Sequence, residues 1–533
     1  MKSNSTILVL MLAAAALSAS RLAGAEAAGG LQGVVKNSSG SPIVGALVRA
    51  KNEHGLSVTV VSQMQGQYKI SNLPAGKYAI QTTGDGLQSD SAFVEIDGAH
   101  SVTQNLTASA PANFRRTASI AEYSSVLPTG KAKQIMMSLC TDCHQNGLQE
   151  IVYSHKDRDG WDDTIEKMRN HPYGYPRSLV ISDEQKQTVV EMLSHNFTSD
   201  SPSLDTSKLP KFLAEGETLG EIVTEFDLPR GAGPHDVAVD SKGIGWVSEG
   251  GHGVIGRYDP AIAIYKQIPL PGSEPSGASA IAVDPKGHVW VADNKNSRLV
   301  EYDPQSEKFA TYSVPTSPTG SDFNTIRFHP DGTVWATQIG ANQVIHLNPA
   351  TKEMKAFQFP SPNGAPGNPY GMAIDPSGAI WFVQALQEKI TRIDPETGKV
   401  TEIENPRRGE RLTRMRRMQS DAHGNIWVGE FGGIGKLLMV DSHTGKLTEF
   451  DTPTAFAGPY SVDIDNAHDL VWFNEMMADQ IVRFDPRTKA FSEFRIPTIN
   501  SSVRRIEVDP SKSTRIWFSG LNKDTVGYLD VAQ

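Results

Sequence analysis

The sequence of 533 residues contains only two cysteines, Cys140 and Cys143, which lie three positions apart. A disulfide between them would close a very short loop and add little stability, so a disulfide framework is excluded. The chain also lacks a basic tract, since 50 Lys and Arg face 60 Asp and Glu and the net charge is −10. This balance argues against nucleic acid or an anionic membrane as the main partner.

Long apolar runs are missing too, except near the N-terminus. Lys2 precedes an apolar run over 7–17, and small residues at 23–25 follow, which is the pattern of a secretory signal peptide. We therefore expect residues 1–25 to be removed on export and the mature protein to be periplasmic or secreted. An uncleaved anchor is the alternative, but the run is short for a membrane span. No later segment is apolar enough to cross a membrane.

The remaining sequence divides into four regions by its pattern. Residues 31–107 alternate apolar and polar residues between turns, residues 108–130 have the composition of a linker, and residues 131–198 have a helical pattern. Residues 219–533 are repetitive. The sequence thus predicts a mainly β, multidomain protein with one small α-helical domain.

The repetitive region is marked by tryptophans in β-rich runs that follow a turn. They recur every 44–46 residues, at Trp246, Trp290, Trp335, Trp381, Trp427, Trp472 and Trp517. A unit of this length with four short strands is a β-propeller blade, so seven blades are predicted, with the tryptophans in the blade cores. The last unit lacks an outer strand, and residues 221–229 can supply it and close the ring.

Residues 140–144 read Cys-x-x-Cys-His, the attachment signature of c-type haem. The two thiols can add to the two vinyl groups of one porphyrin, and His144 can bind the iron as proximal ligand. A zinc site would need further cysteines, and a redox dithiol would need a βαβ context. We expect one covalent haem c on Cys140, Cys143 and His144.

The surroundings of this motif resemble a small class I cytochrome c domain. One helix runs into the motif, and a second begins after Ser182, which is its expected N-cap. The resemblance implies a sixth iron ligand from between or beside the helices. We expect Met168 in this role, with His171 or His155 as alternatives, and Met192 in the core.

Residues 31–107 contain turn-forming Gly and Pro between alternating apolar residues, as in the segment GQYKISNLPAGKY at 66–78. This pattern resembles the carboxypeptidase-regulatory-like domain, a small prealbumin-like β-sandwich. The resemblance implies a structural or adhesive role, such as contact with a surface or glycan. It implies no peptidase activity, and the region has no set of zinc ligands.

The repeats follow the pattern P-x-x-[IV]-A-[VI]-D-x-x-G-x-[IV]-W-[VF]. In this they are similar to the virginiamycin B lyase (streptogramin lyase) family, over the whole of 221–533. Members of that family linearise a cyclic depsipeptide by elimination, with a His base and a Mg²⁺ ion. The resemblance implies His235 as the base and Glu249 as a metal ligand, both at one mouth of the central channel.

Other positions depart from the family's set. The Glu expected two residues before the base is Gly233, the His expected in the preceding blade is Arg504, and a register shifted by one blade places Ser279 at the base. Equivalent positions around the ring instead predict a polar mouth of mixed charge. Those matching His235 are Ser279, Asn324, Tyr370, Arg416, Tyr460 and Arg504, and those matching Glu249 are Asp293, Gln338, Gln384, Glu430, Glu475 and Gly520.

Three functions follow from these patterns. The first is an exported monohaem cytochrome that exchanges electrons with a redox partner protein, while the propeller binds that partner or a substrate. The second is a Mg²⁺-dependent lyase with an accessory cytochrome. The third is a non-catalytic module that binds cell-wall or glycan ligands. The propeller channel is the expected place for a small-molecule, peptide or glycan ligand.

Overall fold

The computed structural model describes residues 29–84, 86–111, 118–141, 151, 153–170, 181–201, 209, 212–272, 275–314, 322–359, 366–409 and 413–532. The predicted signal peptide, residues 1–25, lies outside them. The described chain forms an N-terminal β-sandwich, a group of helices and a β-propeller. Among its helices, none has the length and apolar character that crossing a membrane requires.

The N-terminal sandwich has nine strands and one 3-10 turn, Met64–Gly66. The strands are β1 (Gly29–Asn37), β2 (Leu47–Asn52), β3 (Leu56–Val61), β4 (Gln67–Leu73), β5 (Gly76–Gly84), β6 (Leu87–Ser89), β7 (Ala92–Ile96), β8 (Ser101–Thr103) and β9 (Leu106–Ser109). β1 lies between β4 on one side and β8 and β9 on the other, while β5 pairs with β2, β6 and β7. The alternating apolar residues, such as Val35, Val48 and Ile80, fill the space between the layers.

Two glycines of this sandwich occupy places that a side chain could not. A Cβ atom on Gly33 would lie 1.9 Å from the carbonyl oxygen of Gln104. Gly66 has a φ of +72°, and a Cβ atom there would lie 2.3 Å from the carbonyl oxygen of Val35. These close approaches explain why the domain pattern has glycine at both positions.

The helical part contains four described α-helices. They are α1 (Ile120–Ser124), α2 (Lys131–Ile135), α3 (Arg158–Arg169) and α4 (Asp183–Asn196), and α2 continues into a π-helical turn, Met136–Cys140. The predicted N-cap of the last helix is confirmed. Ser182 Oγ accepts a hydrogen bond from the backbone of Gln185 at 3.2 Å, and the Gln185 side chain accepts one from the backbone of Ser182 at 2.9 Å.

Helices α3 and α4 are joined by buried and charged contacts. Lys186 Nζ lies 2.9 Å from a carboxylate oxygen of Asp162 and 2.7 Å from one of Glu166. Trp161 is buried, and its indole N–H donates to the carbonyl oxygen of Phe197 at 3.3 Å. The one tryptophan outside the repeats therefore ties α3 to the end of α4.

The region predicted to be a linker, 108–130, contains helix α1. Ile120, Tyr123 and Leu127 are almost fully buried, so this part of the region is packed rather than exposed. The sequence signal was weak because the helix is only five residues long, which is too short for a clear helical period. Ser119 caps it and makes a capping box with Glu122.

The propeller begins after a 3-10 turn, Gly216–Gly220, and its first strand is β10 (Ile222–Asp227). Six four-stranded blades follow: β11 (Pro234–Val239), β12 (Gly245–Glu249), β13 (Val254–Asp259) and β14 (Ile264–Pro269); β15 (Ala278–Val283), β16 (Val289–Asp293), β17 (Arg298–Asp303) and β18 (Lys308–Ser313); β19 (Phe323–Phe328), β20 (Val334–Gln338), β21 (Gln343–Asn348) and β22 (Glu353–Gln358); β23 (Pro369–Ile374), β24 (Ile380–Gln384), β25 (Lys389–Ile393) and β26 (Val400–Glu404); β27 (Arg414–Ser420), β28 (Asn425–Phe431), β29 (Leu437–Asp441) and β30 (Leu447–Phe450); β31 (Pro459–Asp465), β32 (Leu470–Glu475), β33 (Gln480–Asp485) and β34 (Ala490–Arg495). The last strands are β35 (Val503–Val508), β36 (Arg515–Gly520) and β37 (Thr525–Asp530).

Six blades, rather than the predicted seven, are separate four-stranded sheets. The remaining place in the ring is taken by β35, β36 and β37, whose fourth strand is β10, so the predicted exchange of residues 221–229 is observed. β10 does not end that sheet, because its other edge pairs with β3 of the sandwich. The prediction of seven blades is thereby corrected to six separate blades, because the last unit belongs to a 13-stranded sheet shared with the sandwich.

The repeated tryptophans are all buried in the blades, as predicted. In five repeats the indole N–H donates to an Asp at the end of the preceding strand, for example from Trp381 to Asp375 at 2.8 Å. The same Asp375 accepts hydrogen bonds from the backbone of Ser377 and Ala379, so it also fixes the turn. The Asp and Trp of the repeat pattern thus act together to hold the first two strands of a blade.

The closing role of β10 gives a stability prediction with a matched control. Val223 of β10 is buried against the sixth blade and the last unit of the ring. Val400 lies half exposed on β26, the outer strand of another blade. We expect Val223→Ala to lower the free energy of unfolding by about 2 kcal/mol, because it leaves a cavity at the closure, and Val400→Ala to change it by less than about 0.5 kcal/mol. Urea unfolding followed by tryptophan fluorescence measures both, and equal effects would contradict a special role for β10.

Candidate functional site

The central channel of the propeller is lined by the innermost strands β11, β15, β19, β23, β27, β31 and β35. We call the end at which these strands begin the helix-side mouth and the opposite end the far mouth. Near the start of these strands lie the equivalent positions of the repeats, which we call the first ring: His235, Ser279, Asn324, Tyr370, Arg416, Tyr460 and Arg504.

Four residues of this ring form one cluster of phenols and guanidinium groups. The hydroxyl groups of Tyr370 and Tyr460 are hydrogen-bonded to each other, and Arg504 Nη1 donates to the Tyr460 hydroxyl at 2.9 Å. The Arg416 guanidinium lies 5.0 Å from the ring centre of Tyr370 and 5.7 Å from that of Tyr460. Both tyrosines are buried, so these interactions operate away from bulk water.

The pKa values of the two phenols shift in opposite directions. Burial alone would raise the pKa of Tyr460, but the positive charges of Arg504, Arg416 and Arg417 outweigh it and lower that pKa. The pKa of Tyr370 is raised, first by burial and then by its neighbour Tyr460. One proton of the pair is therefore released more readily than from a free tyrosine, and the second is retained.

A second layer, one residue deeper, is an ion cluster that crosses the channel. Asp236 is fully buried, its Oδ1 atom accepts from Arg417 Nη2 at 2.6 Å, and Arg505 Nη1 lies 3.7 Å from its Oδ2 atom. His235 Nδ1 lies 2.8 Å from Asp236 Oδ1. Burial would raise the pKa of Asp236, but the charges of Arg417, His235 and Arg505 outweigh it and lower that pKa. The cluster connects the first and fifth blades to the last unit of the ring.

Glu249 does not open at the channel mouth, contrary to the prediction. It is fully buried and is directed into its own blade. Its Oε1 atom accepts a hydrogen bond from the Tyr265 hydroxyl, and its Oε2 atom accepts from Gln267 at 2.7 Å and lies 2.8 Å from His252 Nδ1. Tyr265 and Gln267 belong to the outermost strand β14. The carboxylate that resemblance implies as a metal ligand is therefore engaged in bracing the blade.

Residues equivalent to Glu249 brace other blades in the same way. Asp293 accepts from Arg298 Nε at 2.9 Å, and the amide of Gln384 donates to Glu402 at 2.9 Å. Glu430 accepts from the Thr413 hydroxyl at 2.8 Å. Since the equivalent residue in several blades is a buried polar side chain that links strands, the presence of Glu at position 249 is explained without a metal ion.

Among the described residues, there is one group of three His, Cys, Asp or Glu side chains that lie close enough together to bind a single metal ion. Asp284, His288 and Glu301, all in the second blade, have ligand atoms within 4.8 Å of each other. Asp284 is the turn-fixing Asp of its repeat and accepts from the indole N–H of Trp290 at 3.1 Å. This group lies near the far mouth and includes neither His235 nor Glu249.

The helical part is seated on the helix-side mouth. Ala121 N donates to the carbonyl oxygen of Met477 at 2.8 Å, and Gly433 N donates to Ser138 Oγ at 3.0 Å. Lys133 Nζ lies 4.6 Å from the ring centre of Phe456. These propeller residues all lie in loops at the helix-side mouth, so α1, α2 and the π-helical turn dock on that face.

One apolar cluster runs from the helices into the channel mouth. It contains Ile135, Met136 and Met137 from the helices together with Tyr370 and Tyr460 from the first ring. Trp161 and Leu193 from α3 and α4, and Met415 and Phe431 from the propeller, belong to the same cluster. The helical part and the mouth therefore share a core rather than a hydrated interface.

Of the three residues of the predicted haem-attachment motif, one is described. Cys140 is the last residue of the π-helical turn, is half buried and packs against the shared apolar cluster. Cys143 and His144 lie outside the described residues, as does the alternative ligand His171. The sequence motif therefore places its first thiol at the end of a helix that rests on the mouth.

The candidate sixth ligands have different surroundings. Met168 lies in the last turn of α3, rather than in a segment between helices, and is 38% exposed. Met192 on α4 packs against the shared cluster, as predicted for a core residue. His155 is exposed, and its Nδ1 atom lies 2.5 Å from the carbonyl oxygen of Thr198.

Sequence reasoning missed the deeper ion cluster of Asp236, Arg417 and Arg505. A signal for it was present, because Arg416–Arg417 and Arg504–Arg505 are adjacent arginine pairs in strands whose counterparts have small residues at the second position. An arginine in the middle of a buried strand needs a counter-charge, and the single acidic residue at that level is Asp236.

Two segments match known families. Residues 273–533, just under half of the chain, match the virginiamycin B lyase family, and residues 30–109 match the carboxypeptidase regulatory-like domain. The first match begins after the first blade, so His235 and Glu249 lie outside it, and it is shorter than the predicted range of 221–533. No curated protein sequence matches the chain.

Solved structures of lyases have the same propeller fold. The virginiamycin B lyase of Staphylococcus aureus has 22% identity and a TM-score of 0.51, and the alignment covers 58% of this chain and 100% of that chain. A streptogramin B lyase structure has 22% identity and a TM-score of 0.53, and the alignment covers 60% of this chain and 100% of that chain. A catalytically inactive variant of the S. aureus enzyme with quinupristin has 21% identity and a TM-score of 0.51, over 58% of this chain and 100% of that one. At this identity the likeness establishes the fold alone.

The phenol–arginine cluster predicts a readily ionised tyrosine. The pKa of Tyr460 is below its usual value of 10.0, so a spectroscopic titration of phenolate should contain one group that ionises below that pH. Tyr460→Phe should remove this component, whereas Tyr302→Phe, which changes a tyrosine with a raised pKa in another blade, should leave it in place. A titration with no early phenolate in the wild type would contradict the electrostatic account.

Proposed function

We propose that this chain is an exported c-type haem protein that transfers electrons. Its propeller provides the surface on which the haem-bearing helices dock. Cys140 and Cys143 would hold the haem by thioether bonds, and His144 would be the proximal ligand of its iron. A bound haem c would supply one-electron exchange. The motif has no competing use for its thiols, since the chain contains no other cysteine.

The observation that carries this proposal is the position of Cys140. Its thiol is half buried against an apolar cluster that the helices and the channel mouth build together. An apolar, partly enclosed setting suits a porphyrin, because it removes a large hydrophobic surface from water. The apolar residues that surround Cys140 therefore fit a haem, which is the group that the Cys-x-x-Cys-His motif implies.

The propeller residues at this mouth would set the electrostatic surroundings. Arg416 and Arg504 belong to the first ring, and Arg417 and Arg505 lie one layer deeper with a single carboxylate, Asp236, between them. Positive charge held in a low-dielectric region favours a site that gains an electron. The propeller thus contributes a positively charged mouth on which the helices dock.

Expression of the mature protein with a haem-attachment system tests the proposal. We expect one covalent haem per chain, retained in denaturant, and its loss in the Cys140→Ala/Cys143→Ala variant. Met168→Ala should abolish the long-wavelength charge-transfer band of a methionine-ligated ferric haem, while Met192→Ala, which changes the core methionine of α4, should keep that band. A wild-type chain that attaches no haem would overturn the proposal, and a band that survives Met168→Ala would reassign the sixth ligand.

A second candidate function is a lyase reaction of the virginiamycin B type. It is favoured by His235, whose side chain is about a quarter exposed and whose Nδ1 atom is held by Asp236, as a general base would be. A Mg²⁺ ion on Glu249 does not fit the geometry, because both oxygens of that carboxylate already accept hydrogen bonds within the blade. The helices seated at the same mouth also restrict the approach of a cyclic depsipeptide.

Linearisation of a streptogramin B antibiotic separates the two candidates. Our proposal predicts no ring opening by the full mature chain, with or without added Mg²⁺. Ring opening that Mg²⁺ stimulates and that His235→Ala abolishes would establish the lyase instead. His252→Ala serves as the matched control, since it removes a histidine of the same blade that contacts Glu249 and not Asp236.

A further inference from the structure

The far mouth of the channel opens into a cavity of about 770 Å³. Its deep wall is made by the innermost strands and contains Arg327, Gln419, Asp463 and Glu507, together with Ala282. Its rim is formed by the turns that contain Lys242 and Lys286. A concave site of this volume is the usual size of a small-molecule pocket.

The acidic side chains of this cavity already have hydrogen-bond donors. Glu507 accepts from Arg505 at 2.5 Å and from the backbone of Val239 at 2.9 Å. Asp463 accepts from Gln419 at 3.1 Å and from the backbone of Val508 at 2.7 Å. At the rim, Asp240 and Asp284 each accept from two backbone N–H groups of their turn and from a tryptophan indole.

The cations of the cavity are not satisfied in the same way. In the part of the chain that the structure describes, Arg327 donates only to two backbone carbonyl oxygens, those of Ile326 at 3.0 Å and Met418 at 3.4 Å, and its buried Nε atom has no hydrogen-bond partner there. Within the described residues, no carboxylate oxygen lies within 4.0 Å of the charged nitrogens of Arg327, Lys242 or Lys286. The cavity is therefore lined by three cationic donors without a carboxylate partner in the described chain, one with a buried, unpaired Nε atom and two exposed to solvent.

We propose that the far mouth is a binding site for a small organic anion with two or more carboxylate groups. One carboxylate would accept hydrogen bonds from the Arg327 guanidinium in the deep wall, with the Gln419 amide beside it. A second would lie between Lys242 and Lys286 at the rim. A planar guanidinium matches a carboxylate in a two-point contact, and the flexible lysines suit an outer group whose position varies.

The charge state of the deep cation supports this assignment. Burial, together with the charge of Arg505, lowers the pKa of Arg327 to about 9 although Asp463 and Glu507 act in the opposite direction, and Arg327 is still positively charged at neutral pH. Since no carboxylate of the described residues is in direct contact with Arg327, an anion bound in the cavity would lower the cost of burying this cation. The site is independent of the haem proposal, since it lies at the opposite end of the channel.

Isothermal titration of the mature protein with citrate at low ionic strength tests the proposal, with inorganic phosphate as the second anion and glycerol as the neutral control. Low salt is used because screening weakens contacts with the rim lysines. We expect saturable citrate binding that Arg327→Gln weakens about tenfold or more, which is the loss of one charge-assisted contact. Arg487→Gln, an exposed arginine on an outer turn, should bind citrate as the wild type does.

The Lys242→Gln/Lys286→Gln variant keeps the test decisive if Arg327→Gln does not fold, because both lysines are exposed and hold no other element in place. It should weaken citrate binding severalfold with unchanged thermal stability. Binding of phosphate with no binding of citrate would overturn the assignment to carboxylates. Absence of saturable binding of either anion, or equal affinity in the wild type and both variants, would overturn the site.

Discussion

The pairing of β10 with two partners is the constraint on which the rest of this architecture depends. One edge of β10 completes the last unit of the propeller through β37, and the other edge joins β3 of the sandwich. A propeller whose last unit lacks its outer strand would leave an open edge and an incomplete core around Val223. The same strand therefore closes the ring, fixes the sandwich to it, and sets where the chain enters the propeller after the helices.

Ring closure brings together side chains that are far apart in the sequence. Asp236 comes from the first blade, and the two arginines that hold it, Arg417 and Arg505, come from the fifth blade and the last unit. Above this cluster the tyrosines and arginines of the first ring merge with the core of the helices. The helix-side mouth is thus a packed joint, and the far mouth is the end where the channel widens into a cavity.

The sequence predicted the elements with a strong period and missed those set by contacts across the ring. The tryptophan spacing identified the blades and the closing strand, because each repeat must bury the same face. It also placed Tyr370, Tyr460 and Arg504 in one ring, and their contacts agree. The tryptophan spacing could not predict the direction of the Glu249 side chain, because its carboxylate is held by hydrogen bonds from Tyr265 and Gln267 on the outer strand. Helix α1 was missed because five residues carry too little periodicity.

The arginines of the channel have a consequence for the whole molecule. The chain is acidic, with a net charge of −10, yet on its axis five arginines, Arg327, Arg416, Arg417, Arg504 and Arg505, outnumber the three carboxylates of Asp236, Asp463 and Glu507. The outer surface therefore repels anions at long range, while the low-dielectric walls of the ring focus a positive potential along one line. The two ends of the channel are therefore places where a negative charge is stabilised by the arginines of the ring, while the acidic outer surface repels it.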